Sequence, residues 1–342
     1  MNSLKEIPLL EIGGFTAGHA CNEEAATGCT VLLFDRCSPA GVDVRGGGPA
    51  SRETPLLSPL AASEGLHGLL LSGGSAFGLD AAGGVMRYLE ERGIGFDVGI
   101  TKVPLVCQSS IFDLVIGSPS VRPDGDMAYR ACEDAEKRRK AIRESGDYSL
   151  SEGNAGVGCG CTVGKYRGPQ FAMKSGVGSY AVQIGFFKIG AIVAVNALGD
   201  VYNIENGQQI AGLLNETKSS LLSTEEAFLK DITAAPDLFT GNTTIGAVLT
   251  NGSFTKAQVN KLASMAQNGL ARTIRPVHTT ADGDSVYAVS VGNVPADINI
   301  AGTLASYVMG KAINRAVRTA SSSHGYAAAK DLFPDLFSFH QA

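Results

Sequence analysis

A polar turn that runs directly into an apolar strand, at residues 241–250, constrains this chain more than any other feature. Gly241 and Asn242 are turn-forming residues, and the run that starts at Thr243 is apolar and rich in β-branched side chains. Such a run predicts a buried strand from about 244 to 250. The fold therefore has to carry a polar turn at the very start of a buried strand.

The residues after this strand predict a layered fold. A helix begins near Thr255, which forms a capping box with Gln258, and its apolar residues recur at helical spacing. A second strand at 285–292 and a long apolar helix at about 296–317 complete the series. Strands and helices that alternate in this way favour sheets covered by helices, an α/β architecture.

The upstream part of the chain predicts more of both elements, separated by many glycines. Buried strands are expected at about 30–34, 68–71 and 189–195. Helices are expected at about 76–92 and 126–145. Residues 205–241 are polar, and we expect them to be peripheral. Residues 46–48 are three glycines before Pro49, which excludes a regular element and leaves a surface loop or a backbone that passes close to a ligand or a neighbouring subunit.

Composition excludes several classes of protein. The chain has 342 residues, of which 44% are hydrophobic and 18% charged, enough for a large core in one or two domains. A net charge of -5 does not favour nucleic acid or an anionic membrane as a partner, and no apolar run is long enough to span a bilayer. Seven scattered cysteines fit a reducing cytoplasm better than a disulfide framework.

Thr243 has two interpretations at this stage. A threonine at the first position of a strand is usually only a good strand residue. A hydroxyl group at a loop-to-strand boundary can also attack the preceding carbonyl, here that of Asn242, and the resulting ester is then hydrolysed. Thr243 would thereby become a chain terminus whose own α-amine serves as the base for its hydroxyl.

Four other polar residues are candidates for the same chemistry. Asn196 follows a buried strand and either starts a turn or aims an amide into a cleft. Lys165 follows a glycine-rich run and is either a surface charge or a cation held at a site. Asp282 and Asp284 either lie solvated in a turn or face one side together, where two carboxylates can hold the ammonium of a nucleophile.

Other catalytic arrangements are not favoured by the sequence. The five histidines share no metal-ligand spacing, and Cys159 and Cys161 are expected to be buried small residues rather than metal ligands. A Gly-x-Ser-x-Gly elbow is absent from the sequence, which argues against a serine α/β-hydrolase.

Ten short stretches, in order along the chain, together resemble one family. It is the L-aminopeptidase/D-esterase (DmpA-type) family of self-processing N-terminal-nucleophile hydrolases, which includes the nylon-oligomer (6-aminohexanoate-oligomer) endo-hydrolase. The stretches are residues 27–31 (TGCTV), 43–48 (DVRGGG), 71–82 (LSGGSAFGLDAA), 102–104 (KVP), 111–114 (IFDL), 162–165 (TVGK), 195–201 (VNALGDV), 242–245 (NTTI), 275–278 (RPVH) and 282–284 (DGD).

The resemblance implies a fold and a processing event. It implies a single αββα sandwich over residues 1–342, cut between Asn242 and Thr243 into chains 1–242 and 243–342 that stay together. Aminopeptidase members have serine after glycine at the cut, so this chain is nearer to the branch with asparagine and threonine.

The resemblance also implies roles for individual residues. Thr243 is implied as the nucleophile, Asp282 and Asp284 as the carboxylates that orient and charge-balance its amine, Asn196 as an oxyanion donor, and Lys165 as a site lysine. The family also has a catalytic tyrosine, and Phe112 and Tyr129 lie in the corresponding region of the sequence.

The predicted function is a self-processing amide hydrolase of small amides or short peptides, acting through an acyl-enzyme on Thr243. We expect no metal or organic cofactor, a cytoplasmic homo-oligomer (dimer or tetramer), and no nucleic-acid or membrane partner. Two alternatives remain open: an acyltransferase of the ornithine-acetyltransferase type, and a non-catalytic scaffold that is never cut.

Overall fold

The structure of the protein, a computed structural model, describes residues 4–233 and 241–337. Its α-helices are α1 (Ala82–Glu90), α2 (Gly125–Ser145), α3 (Thr224–Lys230), α4 (Lys256–Thr273), α5 (Ile298–Thr319) and α6 (Ala329–Leu332). Its strands are β1 (Lys5–Ile7), β2 (Phe15–Asn22), β3 (Thr27–Ser38), β4 (Ala40–Val44), β5 (Ala50–Arg52), β6 (Leu66–Ser72), β7 (Phe96–Asp97), β8 (Lys102–Val103), β9 (Val106–Ser110), β10 (Thr162–Val163), β11 (Met173–Lys174), β12 (Val177–Ile184), β13 (Phe187–Asn196), β14 (Asp200–Tyr202), β15 (Gln209–Ala211), β16 (Thr243–Gly252), β17 (Ile274–Arg275) and β18 (Ser285–Val294).

Two mixed sheets form the centre of the molecule. One has six strands in the order β1-β12-β13-β16-β18-β4, and the other has five in the order β2-β3-β6-β9-β5. Strands β16 and β18 are parallel, with α4 as the crossover between them, whereas β13 and β16 are antiparallel. This is the strand–helix–strand series predicted from the sequence after residue 243.

The inner faces of the two sheets share one apolar core. Ile192 and Ala194 of β13 and Ala247 of β16 pack in the same cluster as Leu32 and Leu69 of the smaller sheet. Tyr287 of β18 bridges the two sheets, because its hydroxyl lies 2.7 Å from Oγ of Ser109 on β9.

Helices cover both outer faces, so the molecule is the αββα sandwich that was predicted. Val193 and Val195, which alternate with the inward residues of β13, pack in one cluster with apolar residues of α4 and α5. On the other side, α1 and α2 cover the smaller sheet, where Val31 and Leu70 contact their alanine-rich faces. Because successive side chains of a strand point to opposite faces, each buried strand contributes one set of residues to the core between the sheets and the other set to the core under the helices.

Several local predictions are confirmed, and one needs correction. Thr255 and Gln258 form the capping box at the start of α4, and Cys159 and Cys161 are buried. The helix predicted at 76–92 begins instead as a 3₁₀ helix, Ser75–Ala81, and becomes α-helical only at Ala82. Glycine at position 78 lets this turn pack closely, because a Cβ there would overlap the carbonyl of Gly73.

The segment predicted to be peripheral is only partly so. It contains the short helix α3, but Ile210 and Leu213 are fully buried, and residues 234–240 lie outside the described part of the chain. Within the described residues, each helix is too short or too polar to cross a membrane.

The ends of four strands meet at one edge of the sandwich. Strand β13 ends at Asn196, β16 begins at Thr243 and β18 begins at Ser285, and the register pairs Asn196 directly with Thr243. Strand β9 of the smaller sheet ends at Ser110, two residues before Phe112. The five residues proposed for the chemistry lie at or next to one of these strand ends or that of β10: Thr243, Asn196, Lys165, Asp282 and Asp284.

Candidate active site

Thr243 is the first residue of β16 and is almost completely buried. Its hydroxyl donates a hydrogen bond to the carbonyl oxygen of Asn242, the residue on the other side of the predicted cut. Residues directly opposite each other in an antiparallel pair project to the same face, so the side chain of Asn196 lies beside that of Thr243. The hydrogen bond to Asn242 places the Thr243 hydroxyl next to the carbonyl that it would have to attack.

The carbonyl of Asn242 is also bound from the opposite side. The backbone N–H of Gly283 donates to it at 2.8 Å, and the N–H of Asn242 donates to the carbonyl of Ala281 at 3.1 Å. Gly283 has to be glycine, since a Cβ there would lie 2.9 Å from Oγ1 of Thr243 and 2.9 Å from the carbonyl oxygen of Gly48. An N–H donor at this place is suited to stabilise negative charge that develops on the carbonyl oxygen.

Lys165 and Asn196 form a buried pair beside Thr243. Nζ of Lys165 donates to the backbone oxygen of Asn196 at 2.8 Å and to its Oδ1 at 2.9 Å. Nδ2 of Asn196 donates to the carbonyl of Phe112 at 2.8 Å, which ties the end of β13 to the chain that follows β9. In the intact chain, one N–H of the predicted oxyanion donor is thus already used to hold the site together.

Burial controls the charge of this lysine. Burial lowers the pKa of Lys165 to about 7, and the nearby carboxylates of Asp282, Asp113 and Asp284 partly oppose that effect. Lys165 can therefore exchange a proton close to neutral pH.

Asp282 and Asp284 are both buried and are held by different donors. Oδ2 of Asp282 accepts from the backbone N–H of Thr279 at 2.8 Å and from its hydroxyl at 2.6 Å. Oδ1 of Asp284 accepts from the N–H of Thr244 at 2.7 Å, and Oδ2 lies 2.9 Å from Nδ1 of His278. Burial, and then the charge of Asp284, raises the pKa of Asp282 to about 6.

The triple-glycine segment is a scaffold for these carboxylates. The N–H groups of Gly46 and Gly48 donate to the carbonyls of Asp284 and Asp282, at 3.3 and 2.8 Å. A Cβ on Gly46 would overlap the backbone of both aspartates. Gly47 and Gly48 are exposed, so the segment is a surface loop, and its backbone also passes close to the turn of the same chain that carries the two aspartates. A ligand or a neighbouring subunit beside this loop stays a prediction.

The structure brings together all five predicted residues, Thr243, Asn196, Lys165, Asp282 and Asp284. Because Asn242 and Thr243 are buried, the site is closed while the chain is intact. One open cavity, of about 450 Å³, lies away from these residues and is lined by Tyr148, Tyr180 and Arg315, among others.

Sequence reasoning missed three residues at this site. His278 contacts Asp284 through both its ring and its backbone N–H. Asp113 is buried and accepts from the hydroxyl of Thr27 at 2.6 Å and the N–H of Gly74 at 2.7 Å, and its charge acts on Lys165. Gly283 is the third. All three belong to, or border on, stretches already quoted for the family resemblance, but no local pattern marks them as partners.

The two candidates for the family tyrosine separate clearly. Tyr129 lies on α2 in the outer helical layer, where its hydroxyl donates to Glu91 at 2.6 Å, so it is not part of the site. Phe112 is at the site, and its ring contributes no hydroxyl.

Comparisons with known proteins find relatives over almost the whole chain. A profile described as Peptidase family S58 matches residues 2–331. An uncharacterized aminopeptidase of Mycobacterium leprae is 35% identical, with 98% of this chain and 96% of the relative aligned. A 6-aminohexanoate-oligomer endohydrolase of Kocuria sp. is 27% identical, with 92% of this chain and 87% of the relative aligned.

Solved structures share the fold at lower sequence identity. A beta-aminopeptidase of Burkholderia sp. superimposes with a TM-score of 0.66 and 17% identity, over 100% of this chain and 97% of that one. The L-aminopeptidase D-Ala-esterase/amidase of Ochrobactrum anthropi, described as a variant of the Ntn hydrolase fold, gives a TM-score of 0.68 with 14% identity, over 96% and 94%.

We predict that His278 positions Asp284 and that the contact can be tested without disturbing the backbone. His278 has a φ of +59°, a conformation that glycine and asparagine tolerate. His278→Gly keeps this backbone but removes the ring donor, and loss of a hydrogen bond to a carboxylate should lower the rate of hydrolysis roughly tenfold or more. His278→Asn supplies an amide donor near the position of Nδ1 and should retain most of the rate. A glycine variant with the wild-type rate would show that the ring only fills space.

Proposed function

This chain belongs to peptidase family S58, and from that premise we propose that it cuts itself between Asn242 and Thr243 and then uses the new terminus as its nucleophile. The enzyme is an amide or peptide hydrolase of the N-terminal-nucleophile type. The observation that supports the cut most directly is the position of the Thr243 hydroxyl against the carbonyl of Asn242, with Gly283 N–H on the same oxygen.

The proposed cut proceeds by an acyl shift. Oγ1 of Thr243 attacks the carbonyl carbon of Asn242, the peptide C–N bond breaks, and the hydroxyl proton ends on the released amine. Water then hydrolyses the ester, so that the long chain ends in the carboxylate of Asn242 and the short chain begins with Thr243. Gly283 N–H is placed to stabilise the oxyanion during this step.

In the proposed mature enzyme, the α-amine of Thr243 takes the proton of its own hydroxyl as the hydroxyl attacks a small amide or short peptide. The acyl group is held as an ester on Thr243 until water releases it. Asn196, next to Thr243 on the adjacent strand, is the proposed oxyanion donor for this reaction. Asp282 and Asp284 hold the amine, and Lys165 balances their charge.

We further propose a cytoplasmic homo-oligomer, a dimer or tetramer. All seven cysteines carry free thiols, which supports a reducing compartment. Strands β7 and β8 form a hairpin that pairs with no other strand in the described residues, and its apolar side chains Phe96, Val98 and Ile100 are exposed, Ile100 by 95%. A second copy of the chain would remove this apolar surface from water.

The cut is tested by replacing the hydroxyl. Thr243→Ala should remain a single inactive chain of 35.4 kDa on a denaturing gel, whereas Thr243→Ser, which keeps the hydroxyl, should be cut. Thr250→Val removes a hydroxyl from the same strand, far from the site, and should be cut like the wild type. Fully active wild-type protein that contains only the intact chain would contradict the proposal. An inactive and uncut wild type would indicate the scaffold alternative.

The charge balance is tested by rate–pH profiles of the cut enzyme. Activity should rise with pH as the amine loses its proton. Lys165→Ala removes a positive charge beside the amine, so the amine holds its proton longer and the rising limb should move up by roughly one pH unit. Asp282→Asn removes a negative charge and should move the limb down. Lys140→Ala, on the exposed face of α2, is the control. Wild-type profiles in both site variants would show that these charges do not act on the amine.

The oligomer is tested by light scattering after size exclusion. The wild type should have the molar mass of a dimer or tetramer, and Ile100→Asp should lower it, because a charge at the hairpin tip cannot be buried cheaply. Phe186→Asp, at an equally exposed apolar residue on the turn between β12 and β13, should leave the mass unchanged. A monomeric wild type would disprove the assembly.

A further inference from the structure

Gly241 and Asn242, on the amino side of the proposed cut, occupy a narrow slot. One wall is the ring of Phe112, which lies so close to Gly241 that a Cβ there would overlap the ring. The other wall is backbone: the carbonyl of Ala281 accepts from Asn242 N–H, and Gly283 N–H donates to the Asn242 carbonyl. We call this place the acyl slot, formed by the Phe112 ring, the Ala281 carbonyl and the Gly283 N–H.

The chemistry of the proposed cut requires this slot to bind an acyl group. The ester formed when Asn242 is transferred to Oγ1 of Thr243 is an acyl-enzyme, with the end of the long chain as its acyl group. Water hydrolyses that ester just as it would hydrolyse one formed from a substrate. The site therefore has to hold Gly241 and Asn242 as an acyl group through one complete deacylation, and this step rests on the proposed function.

We infer that substrates of the mature enzyme place their acyl residue and the unit before it in the same slot, and that Phe112 selects for an unbranched unit at the second position. The substrate class is a short amide whose acyl residue carries an N–H for the Ala281 carbonyl and is itself acylated by glycine or a similarly unbranched group. A substrate with a bare N-terminal residue fills only half of the slot. The enzyme thus cleaves within short oligomers rather than only after the first residue.

The backbone that carries the Phe112 ring is held by hydrogen bonds, so the chain cannot withdraw the ring from a larger unit. The backbone carbonyl of Phe112 accepts from Nδ2 of Asn196 at 2.8 Å. The next residue, Asp113, is fixed by Thr27 and Gly74 through hydrogen bonds of 2.6 and 2.7 Å. Overpacking against a fixed wall forces strain on the larger group, so a side chain at the second position should be rejected.

The self-cleavage reaction provides the first test, in which the residue at 241 is made larger and the residue at 112 is made smaller. Gly241→Ala should slow the cut roughly tenfold or more, from overpacking and from its φ of +55°. Phe112→Ala in the same chain should restore most of the loss. The backbone strain is the same in both, so recovery measures only the contact with the ring. Phe112→Tyr, which keeps the ring, is the matched control and should not restore the rate.

The second test uses three anilides with the cut wild-type enzyme: the p-nitroanilides of N-acetyl-Gly-Asn, N-acetyl-Ala-Asn and unacylated Asn. The glycine substrate should have the highest kcat/KM, roughly tenfold above the alanine substrate, and this ratio should fall close to one in Phe112→Ala. The unacylated substrate should be the poorest.

The outcomes separate this inference from the proposed function. A wild type that is never cut gives a single band on the denaturing gel and disproves self-processing. A wild type that is cut, with Gly241→Ala cut equally fast or with a defect that Phe112→Ala does not relieve, overturns the contact. If the unacylated anilide is hydrolysed faster than the two acylated ones, substrates do not use the slot. The same conclusion follows if the cut enzyme hydrolyses none of the three anilides.

Discussion

The site depends on the last residue pair between β13 and β16. It places Asn196 opposite Thr243, and a shift of either strand by one residue would turn the side chains of that strand to the other face of the sheet. The apolar alternation along both strands prevents such a shift, because Ile192 and Ala194 fill the inner core while Val193 and Val195 contact the helices. Thr243, the proposed nucleophile, is thus positioned by the apolar residues that fix the register of the two strands.

Electrostatics at the site follow from this enclosure. Three carboxylates, from Asp113, Asp282 and Asp284, lie within electrostatic reach of one lysine, and all four groups are buried. Burial raises the pKa of Asp113 and Asp282 and lowers that of Lys165, while hydrogen bonds from Thr27 and Thr279 and the charge of the lysine favour the ionised forms of Asp113 and Asp282. Groups coupled in this way gain and lose protons as a unit, which makes proton transfer near neutral pH accessible to a site made only of ordinary side chains.

The sequence predicted the layers of the fold, and the five residues that it proposed for the site lie together in the structure. Physical reasons explain which contacts the sequence missed. Periodicity and capping signals are local, so β16, α4 and β18 could be read directly, down to the Thr255 capping box. The contact of His278 with Asp284 depends on a positive φ at His278, and the contact of Phe112 with Gly241 joins residues from different sheets. Neither a backbone dihedral nor a contact across the sandwich leaves a local pattern in the chain.

The glycines around the proposed cut explain how the proposed site would act first on its own chain and then on other molecules. Gly241 is small because Phe112 occupies the space of its side chain, and Gly283 is small because Thr243 does. Between them, Asn242 is bound through its N–H and its carbonyl in the manner of an added parallel strand. Such backbone binding does not depend on the side chain that is bound. In the proposed cut enzyme, the new end of the long chain leaves, and Ala281 O and Gly283 N–H then need equivalent partners, which an amide substrate supplies. Its proposed selectivity is set by the groups that remain, the Phe112 ring and the missing side chain of Gly283.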